Sequence, residues 1–146
     1  MRLAIVGSRE FENYELLCAE VAKIQKTKKI DLIVSGGAKG ADTLARKYAA
    51  LNKIPLMEFL PDYERYGRGA PLQRNTLIVQ NADYVLAFVT PSSRGTLDTI
   101  KKGKQKGIVV KIVNVCKWQK TKGFFSASLC LCDSASKKLL PLVFCL

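Results

Sequence analysis

The chain has 146 residues, of which 48% are hydrophobic, and this fits a single globular domain. Its 24 lysines and arginines outnumber its 12 aspartates and glutamates, and the net charge of +12 favours polyanionic partners, either nucleic acids or phosphorylated small molecules. No apolar run approaches the roughly 20 residues of a membrane span, so we expect a cytoplasmic protein with no membrane partner.

Apolar runs and helical spacings alternate along the chain and predict five strands and four helices. Residues 62–70 are polar, aromatic and glycine-containing, and they are predicted to form a loop. Gly107 is predicted to end the last helix. In chain order, the predicted elements are strand 2–6, helix 14–25, strand 30–34, helix 41–51, strand 54–60, helix 71–79, strand 84–89, helix 95–106 and strand 108–113.

This alternation predicts an α/β fold with a doubly wound parallel sheet and helices on both faces. The strands are nearly continuous apolar runs rich in β-branched residues, as expected when both faces of a sheet are covered. In such folds the ligand lies outside the carboxyl ends of the strands, near the point where the strand order reverses. The loops that follow the strands are therefore the first place to look for a site.

Residues 114–146 break this pattern, and we assign them to a C-terminal extension that follows a domain at residues 1–113. The extension contains Trp118 and three of the five cysteines, and it has no clear period. Cys130 and Cys132 form a C-x-C pair with no second pair, and the chain has no histidine, which makes a poor zinc signature. We expect no metal and no cofactor, and we assign the extension no function.

The loop after the first strand combines a glycine with side chains suited to phosphate. Gly7 lets the backbone approach a ligand, Ser8 can donate a hydrogen bond, and Arg9 offers a bidentate fork. Glu10 and Phe11 complete this predicted ligand loop. A plain strand-to-helix turn with a surface arginine is the alternative.

The loop after the second strand carries the clearest signal for an anion site. Its glycines remove side chains that would block a ligand, and the following helix starts with free N–H groups and a positive dipole end. Asp42 either caps that helix or binds a ribose hydroxyl. The loop lacks both the G-K-[ST] ending of a Walker motif and the G-x-G-x-x-G spacing, and a tight turn without a ligand is the alternative. The predicted ligand-binding residues here are Ser35, Gly36, Gly37, Ala38, Gly40 and Asp42.

Two further loops lead into helices at the same edge. Arg74 and Asn75 fall in the first turn of the helix at 71–79, where they either face the site or form a surface arginine beside a capping asparagine. Residues 92–96 repeat the order of small polar residues, glycine and helix, which places Gly95 and Thr96 at a second helix start that favours anions. Asp83 belongs to the opposite edge and is predicted to be structural.

Taken in order, these motifs resemble those of the SLOG superfamily, which includes the LOG-type phosphoribohydrolases and the Rossmann-like domain of DprA. The resemblance covers residues 1–113 and is strongest for a small single-domain branch of uncharacterised bacterial and phage proteins. It implies a Rossmann-like fold, a nucleotide or nucleotide-derived ligand bound by the four loops, and a homo-oligomer. The motifs that carry it are G-S-R-x-F, S-G-G-A-x-G-A-D, G-A-P-x-x-R-N, A-D-x-V-x-A-F and R-G-T.

One position departs from the superfamily pattern. LOG-type hydrolases resemble one another in P-G-G-x-G-T-x-x-E, where the glutamate serves catalysis. Here Thr99 occupies the glutamate position, and Ser92 and Ser93 replace the glycine pair. Asp98 comes one residue earlier, about 100° away around a helix. This departure argues against phosphoribohydrolase activity by the family mechanism.

Three functions are compatible with these residues. The first is binding or sensing of a nucleotide-derived ligand, which the intact anion loops and the missing glutamate favour. The second is hydrolysis of an N-glycosidic bond in a nucleotide. Without histidine, the candidate catalysts are Asp42, Asp98 and Glu10, followed by Asp62 and Glu64 in the loop at 62–70. The third is DprA-like binding of single-stranded nucleic acid, in which lysine-rich segments supply charge and Tyr63, Tyr66 and Trp118 supply stacking.

Overall fold

The computed structural model describes residues 1–115. Five strands form one parallel sheet in the order β3-β2-β1-β4-β5, so the strand order reverses between β1 and β4. This confirms the predicted doubly wound parallel sheet. The strands are β1 (Arg2–Gly7), β2 (Leu32–Ser35), β3 (Leu56–Glu58), β4 (Tyr84–Val89) and β5 (Val109–Asn114).

Helices cover both faces of the sheet, as predicted. On one face, alternate residues such as Leu3 and Ile5 of β1 pack in a core with side chains of the first two helices. On the other face, Ala4 and Val6 pack with Ile78 and the remaining long helices. The helices are α1 (Tyr14–Gln25), α2 (Ala41–Leu51), α3 (Tyr63–Tyr66), α4 (Ala70–Gln80) and α5 (Arg94–Lys106), with a 3₁₀ turn at Gly67–Gly69.

The prediction of a plain loop at 62–70 was wrong in part, because α3 and the 3₁₀ turn lie there. The Asp62 side chain accepts a hydrogen bond from the Arg65 N–H at 3.0 Å, which starts a helical turn within a polar segment. The second strand begins at Leu32, two residues later than predicted, although the Asp31 N–H still donates to the Met1 carbonyl at 3.0 Å. The third strand is only three residues long and lies at the edge of the sheet.

Asp83 lies at the sheet edge where the strands begin, in the structural role predicted for it. Its carboxylate accepts hydrogen bonds from the Arg2 backbone N–H at 2.9 Å and the Arg2 guanidinium at 2.8 Å. These bonds lower the pKa of Asp83 to about 2. The pair joins β1 to β4 at the end opposite the predicted ligand loops.

The described part of the chain ends just after β5. The Val115 N–H donates to the Val89 carbonyl at 2.7 Å, which extends the pairing of β5 with β4 by one residue. The predicted C-terminal extension lies, from residue 116 onward, outside the described residues. Within residues 1–115, no helix is long and apolar enough to span a membrane.

Candidate functional site

A cavity of about 350 Å³ opens at the carboxyl edge of the sheet, between the loops that follow β1 and β4. This is the point at which the strand order reverses, where ligands bind in open α/β sheets. Three arginines (Arg9, Arg74 and Arg94) and two carboxylates (Glu10 and Asp42) line its wall. The wall is therefore both cationic and rich in polar donors and acceptors.

Two glycines let the β1 loop and the start of α2 come into backbone contact. The Ser8 carbonyl accepts a hydrogen bond from the Ala41 N–H at 3.3 Å. A Cβ at Gly40, whose φ is +80°, would lie 2.3 Å from that carbonyl oxygen, and a Cβ at Gly7 would lie 2.7 Å from the Ala41 Cβ. Because these distances are too short for any side chain, glycine is required at both positions.

A cluster of buried hydroxyls joins the β1 loop to the β4 loop. The Thr90 hydroxyl donates to the Ser8 hydroxyl at 3.0 Å and lies 2.7 Å from the Ser93 hydroxyl. The Ser93 hydroxyl also accepts the Thr90 N–H at 3.0 Å. All three residues are buried, so these bonds fix the two loops relative to each other at the cavity floor.

The first turn of α5 faces the cavity through residues 92–96. Ser93 occupies the N-cap position, yet its side chain makes no capping bond to the helix, because its hydroxyl is bonded to Thr90. The first N–H groups of a helix have no intrahelical acceptor. They carry the positive end of the helix dipole, so this helix start is suited to an anion.

The loop between β2 and α2 is filled by its own carboxylate. Asp42 is only 5% exposed, and it accepts a hydrogen bond from the Ala38 N–H at 3.0 Å. Arg74 donates to the Gly36 carbonyl at 3.1 Å, and a Cβ at Gly36 would lie 3.0 Å from both Arg74 and Asp42. Burial raises the pKa of Asp42 to about 6, against the opposing effects of the Ala38 N–H and the Arg74 guanidinium.

Asn75 connects α4 to the start of α5. Its side-chain amide donates to the Gly95 carbonyl at 3.1 Å and to Asp98 at 3.0 Å, and its oxygen accepts from Arg74 at 3.3 Å. Asp98 also pairs with Lys102 at 2.8 Å. Asp98 is thus engaged between the two helices and does not line the cavity.

The structure brings most of the predicted site residues together and places others behind the wall. Phe11 belongs to the core, where its ring stacks on Phe88 at 4.4 Å, and Ser35 is fully buried at the end of β2. Gly36, Gly37 and Gly40 shape the second loop without lining the cavity, and Asp98 lies outside it. The predicted residues that do line it are Gly7, Ser8, Arg9, Glu10, Ala38, Asp42, Arg74, Asn75, Gly95 and Thr96.

Sequence reasoning missed three kinds of wall residue. Val6 and Ile78 belong to the hydrophobic core and reach the cavity from its inner side, and Pro71 reaches it from the first turn of α4. Thr99 lines the cavity from the second turn of α5, at the position where the LOG pattern has its glutamate. Thr90 does not line the cavity, but it bonds Ser8 and Ser93, which do. It was missed although it is a polar residue directly after the apolar strand β4, a signal that could have found it.

A five-stranded parallel sheet of this order, with a polar cavity where the order reverses, defines a nucleotide-related Rossmann-like protein. The chain belongs to the YspA, cpYpsA-related SLOG family, whose model matches residues 1–66. It is also similar to the gene 61 protein of Mycobacterium phage D29, with 30% identity over 117 residues that cover 75% of this chain and 93% of the phage protein. No solved structure matches the chain.

Proposed function

We propose that the chain binds a nucleotide or a nucleotide-derived phosphorylated ligand in this cavity and acts as a binding or sensing protein. The observation that carries the proposal is the open start of α5. Its first turn lines the cavity without a side-chain cap, and it is flanked by Arg9 and Arg94. A phosphate there would accept backbone N–H bonds and bidentate arginine bonds together.

The opposite wall of the cavity supplies groups suited to a sugar. Asp42 and Arg74 line it from α2 and α4, and both are already held by loop 36–42. A buried carboxylate that is positioned by backbone bonds can accept a hydrogen bond from a ribose hydroxyl without rearranging. These groups support a phosphate subsite at the start of α5 and a hydroxyl subsite at Asp42.

The proposal is tested by measuring thermal stabilisation and calorimetric binding with a panel of mono-, di- and cyclic nucleotides, NAD-type dinucleotides and a short single-stranded oligonucleotide, at low and high salt. A ligand at a hundredfold its Kd adds about 2.7 kcal/mol of stability, which is about 5–10 °C in Tm. We expect a selective shift with one class of small nucleotide that persists at high salt.

Variants locate the binding event. Arg94→Ala should weaken nucleotide binding about tenfold, since it removes one charge-assisted contact. Lys101→Ala, in the same helix but exposed to solvent, is the matched control and should bind like the wild type. Absence of stabilisation by every nucleotide class would refute the proposal, and stabilisation by the oligonucleotide alone, lost at high salt, would favour the single-strand alternative.

A second candidate function, hydrolysis of an N-glycosidic bond, is favoured by Asp42. A carboxyl whose pKa is raised to about 6 by burial can both hold and release a proton near neutral pH. Thr99 lies at the position of the LOG glutamate. Its hydroxyl donates a hydrogen bond to the Gly95 carbonyl and cannot act as a carboxylate acid or base. Release of free base from the bound nucleotide, abolished in Asp42→Asn, would establish this activity; binding without release would leave the sensor proposal alone.

A further inference from the structure

The net positive charge is larger at the sheet edge opposite the cavity than at the cavity edge. Strands begin and helices end at this edge, because the strands are parallel and the helices return the chain between them. The cavity edge has six lysines and arginines against five carboxylates, counted over segments 7–12, 36–42, 62–74 and 90–96. We call the opposite surface the basic edge; it is formed by Lys26, Lys28, Lys29, Lys53, Lys104 and Lys106.

The carboxylates at the basic edge are already neutralised by other groups. Asp83 is paired with Arg2, and Asp31 is paired with the amino group of Met1. The hydrogen bonds of these pairs lower the pKa of both carboxyls, so both are ionised and held by their own partners at neutral pH. Within residues 1–115, no ion pair joins Lys28 or Lys53 to a carboxylate, and their charge remains available.

Helix dipoles do not account for this many lysines. The carboxyl end of a helix carries a partial charge of roughly −0.5. Lys106 balances that charge at the end of α4, since its ammonium donates to the Val79 and Gln80 carbonyls at 2.9 and 2.7 Å. After α1, however, Lys26, Lys28 and Lys29 follow within four residues, all exposed, and they exceed what one helix end can balance.

Lysines precede three of the five strands, and the other two strands, β1 and β4, begin at the Arg2–Asp83 pair. Lys53 precedes β3, Lys28 and Lys29 precede β2, and Lys104 precedes β5 at the other end of the sheet. Neighbouring strands lie about 4.8 Å apart, so the distance across the sheet from β3 to β5 is about 19 Å. A nucleic-acid duplex carries one charge per roughly 1.7 Å of its axis, so a duplex laid across this edge would present several phosphates to these lysines.

The basic edge is suited to a phosphate backbone rather than to bases. Binding of single strands depends on aromatic rings that stack with the bases. The exposed tyrosines of the described residues, Tyr63 and Tyr66, lie on α3, which follows the carboxyl end of β3 at the cavity edge. We propose that the basic edge binds the backbone of duplex nucleic acid without sequence preference, independently of the cavity and of the function proposed for it.

Two double variants with the same charge change test this proposal in the full chain. Lys28→Glu/Lys53→Glu reverses two charges at the basic edge, and Lys39→Glu/Lys101→Glu reverses two exposed charges elsewhere. Binding of a labelled DNA duplex is titrated at several salt concentrations. We expect the first variant to bind duplex more than about tenfold more weakly at low salt. The slope of log K against log salt should become shallower by about 1.8, because two phosphate contacts are lost.

The control variant should stay within about threefold of the wild type, and Arg94→Ala should bind duplex unchanged. Equal losses in both double variants would mean that only the net charge matters and would overturn the proposal. So would wild-type duplex binding that is absent or insensitive to salt. Vesicles of anionic phospholipid form a further arm: binding to vesicles with no binding to duplex, lost in the first variant, would assign the edge to a membrane surface instead.

Discussion

Two glycine-containing loops lead from a strand into a helix at the cavity edge. Neither helix start has a side-chain cap, and the two differ in whether an acidic residue lies in the first turn of the helix. In loop 36–42, the carboxylate of Asp42 accepts the Ala38 N–H and lies against Arg74, so the loop supplies its own anion. In loop 90–96, there is no acidic residue, and the Ser93 hydroxyl is bonded to Thr90. That helix start is left facing the cavity.

The difference shows that a glycine-rich turn before a helix is not by itself an anion site. Glycine marks a place where the backbone comes close to something, and in loop 36–42 the partners are Ser8, Leu60 and Arg74 of the same chain. In loop 36–42 the carboxylate of Asp42, in the first turn of α2, accepts the Ala38 N–H of the loop, so an anionic group of the chain already lies there. Loop 36–42 was the clearer signal in the sequence, yet loop 90–96 is the one whose helix has no acidic residue in its first turn.

The largest expected effect separates the glycines of the two loops. Gly40→Ala should destabilise the fold by about 4 kcal/mol, because it adds strain at a φ of +80° and a Cβ 2.3 Å from the Ser8 carbonyl oxygen. Gly95→Ala meets nothing within 4 Å and should leave the stability within about 1 kcal/mol, since alanine is favoured in a helix. Urea unfolding of both variants measures the contrast.

Nucleotide affinity should respond to Gly95→Ala, the variant that has the smaller effect on stability. The methyl group of Gly95→Ala stands at the cavity wall beside the helix start, so the variant should fold normally and bind nucleotide more weakly. If Gly95→Ala binds like the wild type, the phosphate subsite does not lie at α5. If Gly40→Ala unfolds like the wild type, the close contact between the two loops is not what the glycine provides.

The next largest effect is the pH dependence of stability that the buried Asp42 carboxyl of loop 36–42 should cause. Because burial raises the pKa of Asp42 from 3.8 to about 6, the folded state binds its proton more tightly than the unfolded state. The resulting stability is fully present below about pH 4 and is lost as the pH rises through about 6. The change amounts to about 3 kcal/mol for this group.

Asp42→Asn isolates that change from the other carboxylates. The asparagine oxygen can still accept the Ala38 N–H, and it does not titrate. The free energy of unfolding of the wild type, relative to Asp42→Asn, should therefore fall by about 2 kcal/mol between pH 4 and pH 7. A difference that is constant with pH, or that grows in favour of the wild type, would show that the carboxyl is not destabilised by burial.

The sequence predicted the fold better than it predicted the cavity wall, and the reason is physical. Strand and helix periods depend on neighbours in the chain, so α1 and α2 were predicted with the bounds that the structure has. Loop residues directly after β1 were also predicted to line the site, since every parallel strand ends at the same edge. Ile78 and Thr99 reach the cavity only because of how α4 and α5 rest on the sheet, which no local pattern records.

Phe11 was predicted to bind the ligand because of its position in the loop after β1, and that prediction is wrong. It follows Arg9 in the loop after β1, but its ring stacks on Phe88 beneath the loop and is only 1% exposed. An apolar side chain in a ligand loop has a hydrophobic contact available on the inner side, and burial of an aromatic ring is worth more than exposure at the cavity mouth. Polarity therefore has to be considered together with position.

The smallest expected effect comes from Asp98, the carboxylate that matches the missing glutamate most nearly in sequence. It accepts a hydrogen bond from Asn75 and pairs with Lys102, and both contacts lie between α4 and α5 outside the cavity. Asp98→Asn keeps an oxygen for Asn75 and loses one partly exposed ion pair, so the stability should fall by only about 0.5–1 kcal/mol. Nucleotide binding, and base release if it occurs, should be unchanged, whereas Asp42→Asn alters both. Loss of base release in Asp98→Asn with normal binding would instead place the chemistry at α5, and not at Asp42 of loop 36–42.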